Sequence, residues 1–132
     1  MKKALCALAL CVVAPVYAFD YKLTFDQTCS YNSTQRKFPC EKSDQPVAEI
    51  KEIGGKWFGV NPGSTNRIEL ALVKDDQYIL VLRNPVYYSG VSLLQLMKKT
   101  GRFYWSEAAY SEILKEDEST MRVGTFTLGF SR

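Results

Sequence analysis

The chain contains no histidine. That absence removes Ser-His-Asp and Cys-His nucleophilic mechanisms, His-ligated zinc, c-type haem attachment and any switch built on imidazole protonation. Cysteine is scarce: Cys6 and Cys11 lie in an apolar N-terminal run, leaving Cys29 and Cys40 for the rest of the chain. A metal site would need further soft ligands, no calcium-loop pattern is present, and Gly54-Gly55 precedes a strand pattern where a phosphate cradle would need a helix N-terminus. No metal or cofactor is therefore expected. Beyond the N-terminus no apolar run approaches the roughly 20 residues of a membrane-spanning helix. Neither sign of charge dominates. With Lys2 and Lys3 set aside, 15 basic side chains face 14 acidic ones. Nucleic acid is not an expected partner, because phosphate contacts require concentrated Lys and Arg.

What is present begins with an export signal over residues 1–18. Met1-Lys2-Lys3 holds the cytoplasmic side, Ala4 to Val13 forms the apolar segment, Pro15 stops it, and Val16 and Ala18 fit a signal peptidase, so Phe19 becomes the mature start. The short Met-Lys-Lys start has a bacterial character and points to a periplasmic or secreted protein. Lipid attachment at Cys11 is the lesser reading, since Leu10 is bulkier than a lipoprotein cleavage site usually accepts. Residues 19–132 then form one domain, long enough for one hydrophobic core and too short for two. In an exported chain, Cys29 and Cys40 read as one disulfide closing a polar loop from Ser30 to Pro39. Their spacing is not the Cys-x-x-Cys of a redox pair. Asn32-Ser33-Thr34 is a glycosylation triplet, which matters only in a eukaryotic secretory host.

Alternation with period two dominates the remaining chain. Residues 67–83 predict an antiparallel hairpin turning at Asp75-Asp76, with Ile68, Leu70 and Leu72 on its inner face. Val91–Met97 and Arg102–Ser106 predict a second hairpin whose turn ends at Gly101 with positive φ. Tyr21–Phe25, Val47–Ile53, Lys56–Val60 and Met121–Phe130 complete about eight short strands, with close packing or bends expected at Gly124 and Gly129. The fold class is all-β, mainly antiparallel: a small meander closed as a barrel or folded as a sandwich. One segment reads two ways. Residues 107–115 carry a Ser N-cap, early Glu, late Lys, and Tyr110, Ile113 and Leu114 at helical spacing, which predicts a short helix; alternation through Tyr104, Ser106, Ala108 and Tyr110 would instead prolong the strand.

Gly55-Lys56-Trp57 resembles the Gly-x-Trp signature of lipocalins, small barrels that bind apolar ligands inside. The resemblance implies Trp57 at the barrel floor with a late Arg, Arg122 or Arg132, stacked across it. It covers three residues and follows a strand and a disulfide loop, whereas lipocalins carry it on their first strand. Trp57 is therefore read as core, and no family is assigned.

The favoured function is a non-catalytic binding protein that contacts a protein partner through loops and an exposed aromatic face. Phe103-Tyr104-Trp105 cannot all face inward, because neighbours on a strand point to opposite sides. Tyr104 and one of Tyr87-Tyr88, beside Arg83 and Arg102, thus form the candidate contact surface. Small disulfide-stapled periplasmic β-domains that inhibit lysozymes or proteases are the analogy. The alternative is a carrier whose interior cavity is lined by Leu70, Leu80, Leu94, Leu96, Phe103 and Trp105. A hydrolase using paired carboxylates would need a raised Glu facing an ionised Asp among Asp75, Asp76, Glu107, Glu112 and Glu116-Asp117-Glu118. Strand addition at an edge formed by Phe19–Asp26 or Met121–Phe130 is a fourth reading.

Overall fold

The structure, a computed structural model, describes residues 18–45, 47–86 and 90–131. Residues 1–17 of the export signal expected over 1–18, the Tyr87-Tyr88 pair and Arg132 lie outside the described residues.

The strands in chain order are β1 (Ala18–Ser30), β2 (Cys40–Lys42), β3 (Val47–Ile53), β4 (Lys56–Val60), β5 (Arg67–Asp75), β6 (Ile79–Arg83), β7 (Gly90–Met97), β8 (Arg102–Ser111) and β9 (Glu116–Ser131). From β3 onward each pairs antiparallel with the next, β1 pairs with β3, and β1 returns to β9, closing an eight-stranded barrel to which β2 adds a short ninth strand. Local chemistry sets the turns. Gly54 and Gly55, at φ 60° and 78°, join β3 to β4 through a two-residue turn that needs positive φ at both positions. Gly101, at φ 67°, closes the β7–β8 turn as the sequence predicts. At the β5–β6 turn the Asp76 carboxylate accepts the backbone N–H groups of Tyr78 and Ile79 at 2.7 and 2.9 Å.

Three tight turns thus gather at one end, the closed end; the disulfide loop, the 61–66 loop, the end of β6, the start of β7 and the β8–β9 turn gather at the other, the mouth. Alternation fills the interior between them. Leu23, Ile50, Leu80, Leu82, Leu96 and Phe103 are all within 1% of complete burial. Removing side chains of this size from water stabilises the barrel by about 1.5–3 kcal/mol each. Tyr21, Trp57 and Phe126 pack near the closed end, with ring centroids 6.0 and 5.5 Å from Tyr21. Lys98 pairs with Asp75 there. Burial raises the Tyr21 phenol above its ordinary pKa of 10.0; Lys98 opposes that shift, and Asp75 and Glu52 reinforce it.

Three sequence expectations are corrected. Residues 107–115 form no helix: β8 runs straight to Ser111 and turns over 112–115, with Lys115 at φ 56°. Their helical spacing has no apolar surface to face, and pairing with β9 wins. Neither Phe19–Asp26 nor Met121–Phe130 is a free edge, because β1 and β9 pair with each other from Ala18↔Ser131 to Ser30↔Thr120. Ile68 and Leu72 share the parity of buried Leu70 but are 47% and 53% exposed, since they lie towards opposite ends of β5 and the ladder shifts register after Leu72.

Candidate functional site

The sequence-predicted contact residues do not converge. Arg102 and Tyr104 share a recess of about 490 Å³ on the outer wall with Gln27, Lys42, Val123 and Thr125. It forms where the ladder shifts register between Phe25 and Gln27. Arg83 stands exposed on β6 opposite Leu93, two strands from β8, and does not line that recess.

A second place concerns the β8–β9 hairpin. The pairing of β8 with β7 ends at Gly90↔Ala109, and that of β9 with β1 ends at Ser30↔Thr120. Among the described residues, Tyr110 to Ser119 have only each other in the ladder, so they project past the barrel wall as a two-stranded ribbon. At its tip Ile113 is 93% and Leu114 59% exposed. Such a ribbon is marginal by itself, and the disulfide loop braces it. Cys29 and Cys40 are bonded across β1 and β2. The loop between them is held by Asn32 and Lys37, whose backbone N–H groups each donate to the other's carbonyl at 2.8 and 3.3 Å. From this loop the Tyr31 N–H donates to the Ser119 carbonyl at 2.8 Å, and the Ser33 hydroxyl donates to Glu116.

The third place is the mouth. Inward positions carry Trp105, whose indole N–H donates to the Ser92 hydroxyl at 3.0 Å; that hydroxyl donates to Glu107 at 3.3 Å, and Arg122 pairs with the other Glu107 oxygen at 2.8 Å. Ser92 is 1% exposed. Each member's principal polar group has a partner, so the chain fixes the indole and neutralises the charge. Arg122 therefore lies far from Trp57 at the closed end, and the floor-stacking role implied for it by the lipocalin resemblance is not realised. Beside Trp105 a recess of about 380 Å³ opens between the walls, floored by Ile50, Gly59 and Leu70. Of the six residues expected to line a carrier cavity, Leu70 and Trp105 line this recess; Leu80, Leu94, Leu96 and Phe103 are packed in the core.

The acidic groups are dispersed. Asp75 meets Lys98, Glu107 meets Arg122, Glu112 meets Lys115, and Glu116 meets Ser33. Backbone N–H groups of Tyr78 and Ile79, aided by Lys74, lower Asp76 to about 2, the wrong direction for a general acid. Among the described residues no three His, Cys, Asp or Glu side chains form a metal-holding group, and no helix is long and apolar enough to cross a membrane. Comparison with known protein families, curated proteins and solved structures finds no match.

Proposed function

We propose that the chain is an exported, non-catalytic binding protein of the bacterial periplasm or envelope that engages a protein partner, with the β8–β9 ribbon as its leading contact. The observation that carries this reading is Ile113, 93% exposed at the tip of a braced projection. An isoleucine left in water adds nothing to folding, and burying Ile113 and Leu114 on a partner is worth about 1.5–3 kcal/mol each. Bracing by the disulfide loop removes ordering cost from that encounter. Glu112, Glu116, Asp117 and Glu118 surround the tip with Lys115 as the one cation in that run. That charge favours a cleft with a basic rim and disfavours an anionic lipid surface. Insertion of a rigid loop into a cleft is the geometry of an inhibitor. The disulfide suits an oxidising compartment, and the N-terminal sequence supports export.

The test is capture from envelope extract and host secretions on immobilised residues 19–132, comparing wild type, the Ile113→Asp/Leu114→Asp double variant and the Arg102→Ala/Tyr104→Ala double variant. Circular dichroism first establishes that each is folded. A specific protein held by wild type and lost, by about a hundredfold in affinity, with the tip variant supports the reading. Loss with the wall variant alone moves the contact to the outer recess. Equal capture by all three refutes both surfaces.

A further inference from the structure

We propose that the recess at the barrel mouth binds a small neutral acyl compound, an aliphatic chain ended by an uncharged amide or ester carbonyl. This site is independent of the ribbon and does not rest on the protein-partner reading.

The recess follows from side-chain size. On β3 and β4 the inward positions approaching the mouth are Ala48 and Gly59, while β6, β7 and β8 present Leu82, Leu94, Phe103 and Trp105 to the interior. Gly59 lies opposite Ile50 in the ladder. A Cβ built on it would meet nothing nearer than Leu70 Cδ1 at 3.7 Å and Ile50 Cδ1 at 3.9 Å. These are ordinary contact distances, so the missing side chain leaves usable space above an aliphatic floor. The resulting volume, about 380 Å³, falls in the range of small-molecule sites, roughly 300–1,000 Å³. Its far wall is the indole of Trp105, held by Ser92.

The rim selects the head group. Asn61, Ser64, Asn66 and Asn84 border the opening. The Asn84 side-chain oxygen already accepts the Val86 N–H at 3.1 Å, and the Ser64 hydroxyl oxygen accepts the Asn66 N–H at 3.1 Å. The Asn84 amide N–H groups and the Ser64 O–H remain as donors. Asn61 and Asn66 add side-chain amides that both donate and accept, so a ligand matched to this rim brings an uncharged polar group with a carbonyl acceptor. Glu49 also lines the recess: an anionic head meets like charge there, and a cationic head finds that carboxylate already paired with Lys51 at 3.1 Å. An uncharged carbonyl satisfies the rim while its chain covers Ile50, Leu70 and Trp105.

The probe is octanamide, with octanoate as its charged counterpart. The chain has two tryptophans, so in a Trp57→Phe protein Trp105 alone reports fluorescence, and chemical-shift perturbation in the wild type is the second readout. Expected are a saturable octanamide response, at least about tenfold weaker binding of octanoate at neutral pH, and at least about tenfold loss in Gly59→Leu, which fills the recess. Should Gly59→Leu fail to fold, Ser64→Ala/Asn66→Ala on the exposed loop must weaken octanamide by about tenfold instead. Ile113→Asp/Leu114→Asp must bind octanamide as wild type does, which separates this site from the ribbon. No saturable response in either readout overturns the proposal, as does unchanged affinity in the recess or rim variants. Equal affinity for octanoate overturns the neutral-head assignment.

Discussion

Replacing Gly124 by alanine should weaken the barrel at its closure more than its single added carbon suggests. Gly124 lies on β9 opposite Phe25 of β1 and Phe103 of β8. A Cβ there would stand 2.0 Å from the Thr24 carbonyl oxygen, 3.0 Å from its carbon and 2.8 Å from Phe103 Cε1. The carbonyl belongs to the β1 backbone in the ladder that closes the barrel, and Phe103 is 0% exposed. Neither group has an empty direction to move into, so relief requires prising β1 from β9. Overpacking a tight interior costs about 1–3 kcal/mol, and backbone overlap places this variant at about 3 kcal/mol or more. For a domain of this size that is a fall in Tm of about 12 °C. Gly129→Ala is the matched control, because its Cβ would meet Asp20 at 3.8 and 4.0 Å. Leaving glycine in a strand recovers about 0.5–1 kcal/mol of backbone entropy at either position, so the difference between the variants isolates the overlap. Urea and thermal unfolding of both proteins measure it. Equal stabilities for the two would refute the reasoning, since the closure would then have room for a methyl group.

The remaining predictions concern the disulfide and two titrating groups. Cys29→Ser/Cys40→Ser opens a loop of sequence separation 11, which in the chain-entropy picture costs about 3 kcal/mol; the shift in urea midpoint checks it, and unchanged stability would remove the staple from the account. Asp76 is lowered from its ordinary 3.8 to about 2, so its contribution is present above the higher value and lost as pH falls through the lower one. Asp76→Asn should therefore be less stable than wild type near neutrality, with the gap closing across that window in unfolding curves taken as a function of pH. Tyr21 is shifted the other way by burial. Its contribution is complete below pH 10.0 and declines as pH rises through the folded-state value, so Tyr21→Phe should lose less stability on alkaline titration than wild type, with phenolate absorbance as a second readout.

The strand framework was legible because it rests on rules that act within a few residues. Alternation in residues 67–83 and 91–106, the positive-φ demand at Gly101, and close packing at Gly124 all appear where local pattern places them. Closure was legible only as one of two architectures, barrel or sandwich, and not as a particular strand pair. Pairing β1 with β9 depends on the accumulated twist and tilt of every intervening strand, so the two segments that read as free edges are the ones that seal the barrel. The helical reading of 107–115 failed for a related reason. Tyr110, Ile113 and Leu114 have the spacing of a buried helix face, but spacing reports a face only if something packs against it; here Tyr110 is 44% and Leu114 59% exposed. The mouth recess left little signal: Leu70 and Trp105 were the expected cavity residues that border it, and its space is made by what Ala48 and Gly59 lack.

The position of the disulfide links these observations. It bonds β1 to a three-residue strand outside the barrel, away from the central cluster of Leu23, Leu80, Leu96 and Phe103. A cross-link whose sole purpose was to hold the barrel would join strands that close it, such as β1 and β9. This one instead fixes the Ser30–Pro39 loop, which then donates from Tyr31 and Ser33 to β9, the returning strand of the ribbon. Its consequence for the core is entropic, acting on the unfolded chain; its consequence for the folded molecule is local, stiffening the segment that carries Ile113. Reduction should therefore raise amide exchange in residues 110–119 well before it reaches β6 and β7, whose protection follows global unfolding. Simultaneous loss of protection in the ribbon and in β6 and β7 would mean that the bond serves the barrel as a whole.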